Sequence, residues 1–148
     1  MTDNKVEKLN EDENRQEKLQ EIRENLDGKE LLASMVKVLD EKQGEEIFVA
    51  RIDEITTIAD YAVVLHARNP RQLKVMWDSV RQLCRGCKAE LLNPGELFND
   101  EWTVLDYGTV IIHLMSSTAR AKYRLEEMWS KGEVIDVQSL LPEEPCNT

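Results

Sequence analysis

Cysteine and histidine are scarce in this sequence, basic residues are outnumbered by acidic ones, and long apolar runs are absent. The 148 residues hold 19 Lys and Arg against 29 Asp and Glu, for a formal net charge of −10. A chain so strongly acidic overall has no electrostatic footprint for wrapping nucleic acid, and anionic membranes repel it. It is drawn instead to a basic partner. No window reaches eighteen consecutive apolar residues, so no transmembrane helix is expected. The N-terminus has no apolar stretch of the kind a secretory signal carries, and it is too acidic for a mitochondrial transit peptide. Three cysteines without a framework spacing imply a reducing compartment, and a cytoplasmic location is expected. The two histidines, His66 and His113, have no His, Cys or carboxylate neighbour at ligand spacing. There is no Gly-rich phosphate loop, no GxSxG and no HExxH. No cofactor, no metal and no catalysis are expected.

What is present is one domain's length of chain, long enough to bury roughly two-thirds of its unfolded surface without staples. Charge divides it into three. Residues 1–27 carry 5 basic and 9 acidic groups and form an acidic arm. Leu19, Ile22 and Leu26 repeat in it at helical spacing, which predicts a marginal helix over 16–26 behind a disordered first dozen residues. Residues 28–138 form the folded domain. Residues 139–148, ending LPEEPCNT and punctuated by Pro142 and Pro145, read as a disordered tail.

Asp27 and Glu30 have the spacing of a capping box. They open a helix with Leu31, Leu32, Met35, Val36, Val38 and Leu39 as its apolar positions, and Gly44 stands where a C-terminal glycine belongs. IFVARI (47–52) and YAVVLHA (61–67) read as strands. The second is apolar at nearly every position and so belongs in the middle of a sheet. Asn69-Pro70 starts a helix, with a capping side chain and then a first-turn proline. Its stripe is Leu73, Met76, Trp77, Val80, Leu83, Cys84 and Cys87. WTVLD (102–106) and TVIIHLM (109–115) are strands turned at Tyr107-Gly108. Ser116 or Ser117 caps a last helix with Ala121, Leu125, Met128 and Trp129 on one face, and VIDV (134–137) is a short final strand. The order predicts an α/β domain, a mixed sheet with helices over one face.

Cys84-Arg-Gly-Cys87 is a lone CxxC. Zinc needs four ligands, and a redox pair belongs at a helix N-terminus, where the dipole lowers the thiol pKa. These two fall near a C-terminus on the apolar stripe, so they read as core thiols. In the hairpin, alternation places Leu105, Val110, Ile112 and Leu114, with Thr103, on the face under the helices. Trp102, Val104, Asp106, Thr109, Ile111, His113 and Met115 fall on the other. A two-residue turn at Tyr107-Gly108 pairs Asp106 with Thr109, Val104 with Ile111 and Trp102 with His113. Aromatic, aliphatic and a few polar groups together make a binding patch. A second layer of the same chain over that face is the equal alternative.

Trp102-x-x-x-Asp106-x-Gly108-x-x-x-x-His113 and Arg120-x-x-Tyr123-x-Leu125-Glu126-x-x-Trp129 resemble the ribosomal silencing factor (Iojap-like) family. Ala59-Asp60-Tyr61 before an apolar strand and Asn69–Trp77 at a helix start are similar to that family too. The resemblance spans 28–137. It departs at His66-Ala67-Arg68-Asn69, where the family usually has Thr-Gly-x-Ser, and at Asn93-Pro94-Gly95-Glu96, where it usually has Glu-Gly. It implies a nucleotidyltransferase-like fold without the catalytic motif. It also implies a non-enzymatic translation repressor that docks on the large ribosomal subunit, through the protein conventionally numbered fourteen, and blocks joining of the small subunit. Some members act in large-subunit biogenesis and some form homodimers. The implied docking residues are Trp102, Val104, Asp106, Tyr107, Thr109, Ile111 and His113, with little direct nucleic-acid contact. Two other readings remain open: a generic dimerising interaction module, and an active nucleotidyltransferase using Asp53, Asp60 and Asp106. The acidic arm either tunes only the docking rate or packs on the body through Leu19, Ile22 and Leu26.

Overall fold

The structure, a computed structural model, describes residues 28–87 and 89–141. The helix expected over 16–26, the Asp27 half of the capping box and the tail beyond 141 lie outside them. The first helix, α1 (Gly28–Glu41), buries Leu31, Leu32, Met35, Val36 and Leu39. It ends in a Schellman arrangement: Gly44 N–H reaches the Leu39 carbonyl at 2.9 Å and Gln43 N–H the Asp40 carbonyl at 2.9 Å. The left-handed position there belongs to Gln43, at φ 64, and not to Gly44. Gln43 holds that conformation because Arg68 binds its side chain and Gln72 its carbonyl. Gly44 is needed for a different reason: a Cβ on it would stand 2.6 Å from Leu65 Cδ1.

Strand β1 (Glu45–Arg51) carries a bulge between Glu45 and Phe48 and pairs antiparallel with β2 (Tyr61–Ala67). Helix α2 (Pro70–Gly86) starts as its sequence dictates. Asn69 is the extended N-cap, and its Oδ1 accepts the Gln72 N–H at 2.8 Å. Strands β3 (Trp102–Asp106) and β4 (Val110–Ser116) form the hairpin, and β5 (Glu133–Ile135) follows two short helices. The sheet order is β3-β4-β2-β1-β5. Only the β2–β4 contact is parallel. Strand β2 is central, and its residues 62–65 are fully buried. No described helix is long and apolar enough to cross a membrane.

Alternation splits the core in two. Val49, Val63, Leu65, Leu105, Val110, Ile112 and Leu114 pack under α1 and α2. Ala50, Ala62, Val64 and Met115 pack on the other face. Helices therefore lie on both faces, not one. The expected last helix is two: α3 (Ser117–Tyr123), capped by Ser116 Oγ, and α4 (Leu125–Trp129). Arg124 breaks them at φ 48. The break turns Leu125 and Trp129 inward with Ala119 and leaves Ala121 and Met128 outside. At the end of the domain, Asp136 caps a 3-10 turn (Val137–Ser139), and Leu140 packs into the α1–α2 core. The folded region thus passes the expected boundary at 138, because the turn aims an apolar side chain back at the core.

Candidate functional site

Strands β3 and β4 meet in a turn centred one residue later than expected. Tyr107 N–H donates to the Val110 carbonyl at 3.0 Å, and Thr109 N–H returns to the Tyr107 carbonyl at 2.9 Å. Gly108 sits at the apex with φ 79, which a side chain rarely tolerates. Asp106 Oδ1 accepts the Gly108 N–H at 2.9 Å and steadies the bend. The turn moves the pairing by two residues: Trp102 faces Met115, Val104 faces His113 and Asp106 faces Ile111. A shift of two leaves every side chain on its expected face, because the strand period is two.

The outer edge of β3 is dressed by the preceding loop. Asn93 Oδ1 accepts the Asp106 N–H at 3.0 Å, while its Nδ2 donates to the Val104 carbonyl at 2.8 Å. Leu92 N–H donates to the Asp106 carbonyl at 2.7 Å. The Asn93 side chain thus stands in for a neighbouring strand and blunts an edge that would otherwise template pairing. Nothing in the residue pattern announced this role. Asn93 stood out only as a departure from the resembled family.

On the face away from α1 and α2, Trp102, Val104, Asp106 and Ile111 are half-buried. The C-terminal helices cover the rest, so the face is half open and half layered. The Trp102 ring lies 4.8 Å from the Tyr123 ring and 5.8 Å from that of His113. Trp102 Nε1–H donates to His113 Nδ1 at 3.1 Å, which fixes that nitrogen as an acceptor and the neutral ring as the Nε2–H form. His113 is 6% exposed, its Nε2 has no partner, and burial pushes its pKa down to about 4. His113 supports the patch from beneath and offers little surface of its own.

Tyr107 does not belong to this face. Its side chain is buried in the α1–α2 core with Cys84. Burial drives the Cys84 thiol up to about 12 and the Tyr107 phenol above its ordinary range. A thiol so held is a packing group at pH 7. Cys87 caps the C-terminus of α2.

The Arg120 and Glu126 of the sequence motif bind each other across the α3–α4 break. Arg120 Nη1 also donates to the Glu45 carbonyl, exposed by the β1 bulge, and to His66 Nδ1, each at 3.0 Å. This knot fastens the second layer to β1 and β2. Two of the three carboxylates weighed for catalysis, Asp53 and Asp106, are engaged otherwise. Asp53 is clamped by Arg51 at 2.9 and 3.1 Å, which lowers its pKa, and Asp106 serves its turn. Among the described residues no group of three His, Cys, Asp or Glu is placed to hold a metal ion.

Comparison with known proteins adds to this geometry. The family described as "Ribosomal silencing factor during starvation" matches residues 25–147. A ribosomal silencing factor RsfS of Zymomonas mobilis is 30% identical over 112 residues, covering 76% of this chain and 84% of that protein. One of Halalkalibacterium halodurans is 22% identical over 116 residues, covering 78% and 99%. A crystal structure from Chromobacterium violaceum superposes with a TM-score of 0.63 at 20% identity, covering 70% of this chain and 87% of that one. The chain belongs to the ribosomal silencing factor family.

Proposed function

We propose that this protein represses translation by docking on the large ribosomal subunit and sterically blocking the small subunit from joining. The docking surface is the open half of the sheet face: Trp102, Val104, Asp106 and Ile111, with Thr109 at its end. Its partner is a ribosomal protein, the one conventionally numbered fourteen. Membership of the family supports the role. The single observation that carries the surface is that Trp102, Val104 and Ile111, on the face away from α1 and α2, stay only partly buried although the second layer packs against Trp102 and Ile111. Large half-buried aromatics are the usual anchors of interfaces.

The net charge of −10 suits a basic ribosomal protein, because opposite charge steers encounter, and it disfavours contact with rRNA phosphates. Steric blocking needs only a body in the right place, so the protein requires no pocket, metal or nucleophile. A part in large-subunit biogenesis and a homodimer when free are compatible with the same surface. Sedimentation through a sucrose gradient tests the proposal. The wild type should travel with large subunits and should be displaced from them by excess isolated ribosomal protein fourteen. A protein that stays at the top of the gradient refutes it.

A further inference from the structure

One helix reverses the charge of the chain. Residues 70–86, the span of α2, hold four cations and one acid, whereas the rest of the sequence holds 15 against 28. The cations are also ordered. Arg71, Lys74, Arg81 and Arg85, with Asp78 between them, repeat at the 3-4-3-4 spacing of a single helical face, turned away from the buried stripe of Leu73, Met76, Val80 and Cys84. Arg71, Lys74 and Arg85 are exposed. Among the described residues, Lys74 pairs with Asp78 at 3.1 Å, and Arg71, Arg81 and Arg85 have no carboxylate within ion-pairing distance. The outer face of α1 mixes its signs, Lys29 and Lys37 against Glu30, Asp40 and Glu41, so a solvated helix in this fold does not need such a bias.

Trp77 borders these cations on their core side. Lys74 Nζ stands 4.0 Å from the centre of its ring and Arg81 Cζ 4.4 Å. The same ring meets that of Phe98 at 5.7 Å. Phe98 belongs to the loop that dresses the β3 edge, tied to the start of β3 by the Asn99 N–H, which donates to Thr103 Oγ1 at 2.7 Å. The cationic face and the docking patch therefore flank the same edge of the sheet from opposite sides. We propose that the outer face of α2 binds the rRNA backbone of the large subunit, with Arg71, Lys74, Arg81 and Arg85 along the phosphates and Trp77 as a stacking surface for a base. From Arg71 to Arg85 the helix runs about 21 Å, long enough to follow several consecutive phosphates. Sign selects the ligand class. The basic ribosomal protein that suits the acidic body is repelled by this face, whereas phosphate is drawn to it. A cationic track beside an aromatic ring is the means by which proteins hold single-stranded RNA. Two contacts of opposite sign, one on each side of an edge, fix the orientation of the docked body as a single patch cannot.

This contact rests on the proposed docking reading, and it is tested with the full chain on whole large subunits. The variant carries Arg71→Gln and Arg85→Gln, which spare the stack of Lys74, Trp77 and Arg81. A melting curve equal to that of the wild type establishes its fold. Affinity for large subunits is then measured against salt for both chains. Each phosphate contact steepens the salt dependence, so between about 50 and 200 mM salt the wild type should lose roughly eightfold more affinity than the variant. The salt dependence of the Trp102 face is common to both chains and cancels in the comparison. Ultraviolet irradiation of the wild-type complex should attach nucleotide to the tryptic peptide 75–81, which holds Trp77. Parallel salt curves overturn the proposal. So does a peptide 75–81 that carries no nucleotide, or one cross-linked instead to protein, whether ribosomal or the chain's own. Wild type that binds with parallel curves loses the α2 contact and keeps the docking reading, whereas wild type that binds no large subunits at any salt loses both.

Discussion

Acidification should destabilise this domain through one histidine. The His113 ring is neutral in the fold, since its Nδ1 accepts from Trp102 and burial holds its pKa at about 4, against an ordinary 6.5. The unfolded chain binds a proton there below pH 6.5 while the folded one does not until about pH 4. Stability from this group is therefore whole above pH 6.5 and is lost as the pH falls toward 4. Two and a half pH units at 1.36 kcal/mol each amount to roughly 3 kcal/mol. That is a large share of the roughly 5–15 kcal/mol that holds a domain together. Carboxylates also titrate in this range, so the isolating perturbation is His113→Gln, whose amide oxygen accepts the same indole N–H without titrating. Urea unfolding at pH 7, 5.5 and 4.5 should show the wild type losing about 2 kcal/mol more than the variant by pH 4.5, the rest following below pH 4. Parallel stability curves for the two proteins, or an imidazole that titrates near 6.5 by NMR, would refute the reasoning.

Three further outcomes follow from the packing. Asn93→Ala leaves the Asp106 N–H and the Val104 carbonyl without their partner, costs about 1–3 kcal/mol by chemical denaturation, and opens the β3 edge to self-association visible by light scattering. Arg120→Met strands Glu126 and frees the α3–α4 layer from β1. It should cost about 3–5 kcal/mol, with amide exchange rising first over residues 117–129, whereas uniform exchange would contradict the knot. Cys84→Ala with Cys87→Ala removes buried sulfur beside Tyr107 and should lower stability by about 2 kcal/mol while leaving binding to large subunits intact. A metal-dependent melting temperature in the wild type would contradict that packing role.

Legibility in the sequence followed local physics. Asn69-Pro70 and the unbroken apolar run 61–67 carry their own structural instructions, and helix α2 and the central strand lie where those residues place them. The faces of the hairpin were legible although its turn was not. Alternation has period two, and the real pairing differs from the expected one by two residues. The break at Arg124 was hidden because an arginine gives no local sign of a left-handed backbone. Without that break, a single helix over 117–129 presents the wrong stripe. The left-handed Gln43 was concealed likewise by the glycine beside it, its conformation being imposed by Arg68 and Gln72 from another element. In the candidate site, Trp102, Val104, Asp106 and Ile111 follow from alternation alone. Tyr107 was misplaced because it precedes the apex glycine instead of forming the turn with it. The depth of His113 depends on contacts such as that with the Trp102 ring on the neighbouring strand, which no spacing records.

The central claim is that one sheet face keeps the two ribosomal subunits apart. Light scattering on mixing purified subunits tests it most directly, using the wild type and Val104→Glu, which places a charge in the half-exposed patch without emptying the core. The wild type should slow or prevent the rise in scattering in proportion to its occupancy of the large subunit. The variant, with an unchanged melting curve, should let the subunits join as though no factor were present. Joining that proceeds unhindered with saturating wild type, or a folded variant that blocks as well as the wild type, would contradict the account.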